Sequence, residues 1–135
     1  MPIDLEIVSP ERLLVSRPVD MVVIPAYEGE MGVLPGHSPV IALLRGGTIR
    51  LYDSGQVTES LFVTGGFAEV TPQRITVLAD ETFPPAAVSR SEGERRLAAA
   101  QAEYDACDKM DITAIDAAMD HMQSARAMIE VAQAA

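Results

Sequence analysis

The chain has 135 residues, enough for one ordinary domain or a small domain with an appendage, and too few for a large multidomain enzyme. Twenty acidic residues against ten basic ones give a formal net charge of -10, the wrong sign for wrapping a phosphate backbone, so no nucleic-acid partner is expected. Apolar residues make up 48% and aromatics 4%, with no Trp, which excludes disorder and leaves a core of aliphatic and small side chains.

In chain order, Ile3, Leu5 and Ile7 alternate with Asp4 and Glu6, the period-two pattern of a half-buried strand. Further strands are predicted at residues 12–15, 19–24, 40–44, 48–52, 57–63 and 74–78, where β-branched and apolar residues cluster. Breaks fall at Ser9-Pro10, Arg17-Pro18, residues 29–36, Gly46-Gly47, Asp53-Ser54-Gly55, Gly65-Gly66 and Thr71-Pro72, with 53–55 read as a hairpin tip. So many short strands in so short a segment can be buried only by stacking two sheets or closing one, which predicts an antiparallel β-sandwich or barrel.

The grammar changes at about residue 85. All nine prolines lie at or before Pro85, eight of nine glycines at or before Gly66, and alanine then dominates. Acidity is shared, with five basic against eleven acidic residues up to 85 and five against nine beyond, so neither half is a basic arm. An uninterrupted stretch rich in Ala, Glu, Gln, Arg and Met predicts helix. Ser89 with Glu92, or Ser91 with Glu94, can start a first helix, Thr113 with Asp116 a second, and the turn falls near residues 108–111. So short a turn makes the helices antiparallel neighbours. The fold class is therefore α+β: a sandwich over 1–85, then an antiparallel two-helix hairpin over 86–135.

The hairpin's inner stripe is predicted as Leu97, Ala100 and Tyr104 facing Ile115, Ala118, Met119, Met122, Ala125 and Ile129. Each alanine standing where a leucine could stand forgoes about 2 kcal/mol of burial. Such a hairpin is expected to dock weakly and to be mobile. Met110, Met119, Met122 and Met128 either pack it or face a partner helix.

No nucleophile elbow, phosphate loop, dinucleotide fingerprint or His-Glu-x-x-His motif occurs, so catalysis is not expected. His37 and Ser38 are adjacent and would point apart on an extended chain, which suits a turn or interface histidine better than a base for that serine. His121 reads as a residue of a solvated helix face. Cys107, the lone cysteine, reads as an apolar filler in a reducing compartment, and no metal site is expected from the three. The first eight residues alternate like a strand and no run of eighteen apolar residues exists, so neither a signal peptide nor membrane insertion is expected.

Two motifs are more specific. Gly29-Glu30-Met31-Gly32-Val33-Leu34-Pro35-Gly36-His37-Ser38-Pro39 reads as a stiff loop presenting Glu30 and His37. Thr64-Gly65-Gly66-Phe67-Ala68-Glu69-Val70 leads into Arg74-Ile75-Thr76-Val77-Leu78-Ala79-Asp80. In order and spacing these resemble the epsilon subunits of bacterial F-type ATP synthases, and the resemblance spans the chain, including its division into sandwich and helices.

The resemblance implies a non-catalytic part of the rotating central stalk, bound to the gamma subunit and the membrane ring of c subunits. The resemblance further implies a peripheral place at the cytoplasmic face of the bacterial inner membrane and a role in passing proton-driven rotation to ATP synthesis. By motif position, Glu30, Met31 and His37 are the candidates for contact with the c-ring or gamma. The family's hairpin can extend along gamma and obstruct ATP hydrolysis through basic residues that meet the catalytic beta subunits, and alpha. Arg95, Arg96 and Arg126 are the candidates for those contacts. Against Asp111, Asp116, Asp120 and Glu130 the second helix carries Arg126 alone beyond Lys109, so weak inhibition is expected. Some family members bind ATP through an Ile/Leu-Asp-x-x-Arg-Ala motif; residues 81–90 lack that pairing of acid and arginine, and no cofactor is expected. The alternative is a free-standing sandwich that binds a sugar or small ligand and dimerises through its helical tail; three Phe and three Tyr supply such a platform poorly.

Overall fold

A computed structural model describes residues 2–134. Ten strands come first: β1 (Ile3–Val8), β2 (Leu13–Val19), β3 (Met21–Ala26), β4 (Gly29–Val33), β5 (Val40–Leu44), β6 (Gly47–Asp53), β7 (Gln56–Val63), β8 (Gly66–Val70), β9 (Arg74–Ala79) and β10 (Thr82–Phe83). A single 3-10 turn, Pro85–Ala87, leads to α1 (Arg90–Ala106) and α2 (Ile112–Ala134). The strands hydrogen-bond in the order β10-β7-β6-β3-β5-β8-β9-β1-β2, with β4 branching from β3, and curl into a sandwich-like body. Pairing is antiparallel except between β1 and β9, which run parallel in the register Leu5 to Ile75 and Ile7 to Val77.

The alternation read in the first strand holds: Ile3, Leu5 and Ile7 are buried with Val22, Ile24, Ile49, Leu51, Ile75 and Val77 in one apolar cluster. The 53–55 hairpin tip is also present. Ser54 and Gly55 both take positive φ, 53° and 77°, the geometry of a tight two-residue connection whose twist matches the flanking strands. Asp20 steadies it by accepting the Ser54 N–H at 2.8 Å.

Several boundaries differ from expectation, each for a physical reason. β2 runs through Pro18, because β2 lies at the end of the strand order, where a missing N–H breaks no ladder. Residues 29–33, expected as loop, form β4, paired with β3 from Val22 opposite Val33 to Ala26 opposite Gly29. The glycines there break the propensity of an isolated strand, and pairing across the hairpin outweighs it. Residues 66–70 likewise form a strand.

In the helical half, Ser89 is the first N-cap, its hydroxyl accepting the Glu92 N–H at 3.2 Å. The second helix starts one residue before the predicted capping box, and Asp111 takes that role by accepting the Ala114 N–H at 3.2 Å. Lys109 closes the end of α1, donating to the carbonyl of Cys107 at 2.9 Å and to that of Tyr104. The stripe is corrected at one position: Met119 is 51% exposed, and Met128 is buried with Ala100, Ala118, Met122 and Ala125. Met128 follows Ala125 at i+3, so the buried face drifts from the predicted line.

Candidate docking surfaces

On the outer face of the sheet, strand registers align one apolar residue from each of five neighbouring strands. Leu43 stands opposite Phe67, Phe67 opposite Leu78, Leu78 beside Val8, and Val8 opposite Leu13. At about 4.8 Å between strands, the row is roughly 19 Å long. Leu43 is 60% exposed, Leu13 55%, Phe67 41% and Leu78 40%, and Ile41 at 70% adds to the β5 end. In the next row Ile41 stands opposite Glu69, and from there the row is polar through Glu69, Thr76 and Glu6, with Arg74 3.6 Å from Glu6. An apolar centre with a charged margin is the anatomy of a protein interface.

Sequence reasoning did not single out this row. One signal was available: residues 40–44 are apolar at every position, and a strand apolar on both faces is covered on both. The rest depends on register, which no local pattern reveals.

The three residues marked by the glycine-rich motif are not all on one loop. Glu30 belongs to β4, where it pairs with Arg50 of β6 at 2.9 Å. Met31, next along the strand, is half-buried against the sandwich core. His37 does lie in the turn beyond the far end of β4, its Nδ1 2.7 Å from the Ser38 carbonyl oxygen. That turn is held to the β8–β9 connection by the Gly36 N–H, which donates to the Pro72 carbonyl at 2.8 Å. Glu30 and His37 therefore sit toward opposite ends of β4.

Two of the three candidate arginines of the hairpin, Arg95 and Arg96, are engaged within the chain. Arg95 binds Glu92 through two hydrogen bonds of 2.9 and 2.6 Å. Arg96 reaches the same Glu92 at 2.8 Å and Glu81 of the sandwich at 2.8 and 3.1 Å, and its guanidinium carbon lies 5.5 Å from the centre of the Phe83 ring. Arg95 first, and Arg96 second, hold the Glu92 carboxyl down to about 2. Arg126 is exposed on α2.

Two more contacts join helix to sandwich or helix to helix. Tyr27, at the β3–β4 turn, is pushed up to about 12, chiefly by the neighbouring Asp120 carboxylate on α2 and secondarily through burial. His121, expected to be merely solvated, is exposed but stands 2.9 Å from Glu103 and so ties α2 to α1. Cys107 is half-buried at the end of α1. Among the described residues no cluster of His, Cys, Asp and Glu is placed to hold a metal ion, and no helix is long and apolar enough to cross a membrane.

Comparison with known proteins agrees with this architecture. Residues 2–85 match the family described as ATP synthase, Delta/Epsilon chain, beta-sandwich domain. The chain is 66% identical over 129 residues to an ATP synthase epsilon chain of Granulibacter bethesdensis, covering 96% of each. It is 48% identical to an ATP synthase epsilon chain of Gluconacetobacter diazotrophicus, covering 98% of this chain and 94% of the relative. In fold it is similar to a chain of the Euglena gracilis mitochondrial ATP synthase, with a TM-score of 0.73 and 22% identity over 94% of this chain and 79% of that one. The length matched, both elements of the fold included, leaves one conclusion: this chain belongs to the ATP synthase epsilon-chain family.

Proposed function

We propose that the protein is a non-catalytic rotor subunit of the ATP synthase central stalk, peripheral at the cytoplasmic face of the bacterial inner membrane. It is clamped between gamma and the c-ring and passes rotation from one to the other. The observation that carries the docking part of this reading is the five-strand apolar row of Leu43, Phe67, Leu78, Val8 and Leu13, assigned here to gamma. A body that transmits torque must hold its shape, and the continuous, densely packed sheet under that row supplies the stiffness. Single apolar residues scattered over a surface need no explanation, whereas an aligned row with a polar margin does.

Glu30, Met31 and His37 are assigned to contacts with the c-ring and gamma. Their placement toward opposite ends of β4 suits two neighbours better than one. Because the Glu30 carboxylate is exposed and Arg50 only half-buried, the pair contributes little to folding, and Glu30 can exchange Arg50 for a basic group on a partner at small cost.

The hairpin is assigned a weak inhibitory role through Arg95, Arg96 and Arg126, reaching the catalytic beta subunits and alpha when it leaves the sandwich. Two of those three arginines would first have to give up Glu92 and Glu81.

Reconstitution tests the reading. The purified chain is expected to co-elute with gamma and the catalytic head, and Phe67→Asp, folded by circular dichroism, is expected to elute alone. Failure of the unaltered chain to bind gamma would overturn the proposal.

A further inference from the structure

The pairing of β3 with β4 leaves one edge of the sheet open. β4 pairs with β3 alone, and no other strand among the described residues borders its far side. The register shows which backbone groups are left over. In an antiparallel pair, opposed residues alternate between those that exchange hydrogen bonds and those whose polar groups point away from each other. Pro25, opposite Glu30, has no N–H to give, and its carbonyl accepts the Arg45 N–H at 2.9 Å, on the side of β3 away from β4. Glu30 therefore turns its N–H and carbonyl outward, and Gly32, two residues on, does the same.

β5 is open toward the same hairpin. The Leu43 carbonyl accepts the Tyr27 N–H at 3.0 Å, and Leu44 is laddered to Ala26, but the pairing goes no further. Ile41, two residues before Leu43, aims its own N–H and carbonyl to that side and meets no strand among the described residues. The two open edges border one groove of about 740 Å³, walled by residues 26–32 and 40–43. Its apolar lining is poorly covered: Ile41 is 70% exposed, Leu43 60%, Tyr27 48% and Val40 38%. Over these residues β5 is apolar on both faces, and neither face is fully covered.

We propose that this groove takes an extended segment of the gamma subunit, which adds as a strand along β4 and β5 and seats alternate apolar side chains among Tyr27, Met31, Val40 and Ile41. The inference rests on the rotor reading above and deepens it. A strand is the occupant because both walls present backbone donors and acceptors at a two-residue repeat. A helix, with its own backbone groups already paired, leaves them unused. Gamma is the source because the groove runs without a break into the apolar row: Leu43 belongs to both, and Ile41 adjoins it on β5. Glu28 and Glu30 stand exposed at the lip, so basic residues are expected at the solvent-facing positions of the segment.

Amide hydrogen exchange of the full chain, resolved by residue with and without purified gamma, tests this, while calorimetry reads whether gamma binds at all. In the free chain the Glu30, Gly32 and Ile41 amides are expected to exchange fast. Gamma is expected to slow all three about tenfold or more and to leave Ile49, in the core, unchanged. Val40 lines the groove but lies off the apolar row. Val40→Asp, folded by circular dichroism, is expected to lose about tenfold or more in affinity. Binding of gamma with these amides unslowed would overturn strand addition and leave the rotor reading standing. Slow exchange at Glu30 and Gly32 in the free chain, or full affinity in folded Val40→Asp, would overturn it too. No binding of gamma would overturn the rotor reading along with it.

Discussion

Gly93 of α1 lies so close to Ile129 of α2 that a Cβ on the glycine would stand 2.8 Å from the isoleucine Cγ1 and 3.1 Å from its backbone nitrogen. A glycine inside a helix costs about 1 kcal/mol relative to alanine, and here it gives close approach between helices in return. Gly93→Ala is therefore expected to destabilise the hairpin despite the better helix propensity, because overpacking costs about 1–3 kcal/mol. Thermal melting followed by the exchange of α2 amides should show earlier loss in the variant. An unchanged or raised midpoint would refute the packing argument.

Glu92 makes a pH-dependent contribution with a definite sign. Its folded value of about 2 lies below the ordinary 4.5, so the stabilisation is fully present above about pH 4.5 and is lost as pH falls toward 2. Glu92→Gln is expected to remove that slope between pH 4.5 and 2, as read by circular dichroism of the helices. The slope should also shrink in high salt, since the carboxylate is exposed to solvent. A parent protein whose helicity is flat across that window would contradict the assignment.

Arg96 joins three partners at the meeting of sandwich and hairpin: Glu81, Glu92 and the Phe83 ring. Arg96→Lys retains the charge but loses the planar fork, and is expected to cost nearly as much as Arg96→Ala, about 1 kcal/mol after solvent screening. Chemical denaturation of both variants checks this. Full rescue by lysine would reduce the contact to simple charge attraction.

The apolar row calls for a graded result. Leu78→Ala and Phe67→Ala are each expected to weaken gamma binding about tenfold or more, with Glu69→Gln at the margin nearly neutral. Calorimetry with purified gamma distinguishes these. Equal losses at Glu69 and Phe67 would point to another surface.

Removing residues 88–135 from the assembled enzyme is expected to change ATP hydrolysis little, because α2 is acidic and Arg95 and Arg96 are paired within the chain. A many-fold rise in hydrolysis would show a strong inhibitor instead.

What the amino-acid order settled by itself is everything that a local window can hold. The end of the prolines at Pro85, the alanine-rich stretch after it, a serine cap at 89 or 91, the Ser54-Gly55 turn and the alternation of Ile3, Leu5 and Ile7 each act within a few residues, through backbone sterics, propensity and side-chain period. What needed the folded molecule is everything that depends on register between distant segments. Glycine-broken β4 exists because β3 pairs with it, Val8 meets Leu78 because β1 lies parallel to β9, and Gly46 lacks room for a Cβ only because Ser124 arrives against it. Contacts separated by seventy residues leave no periodicity in the chain; they come into being when strands choose partners, and that choice is made by burial of the whole core at once.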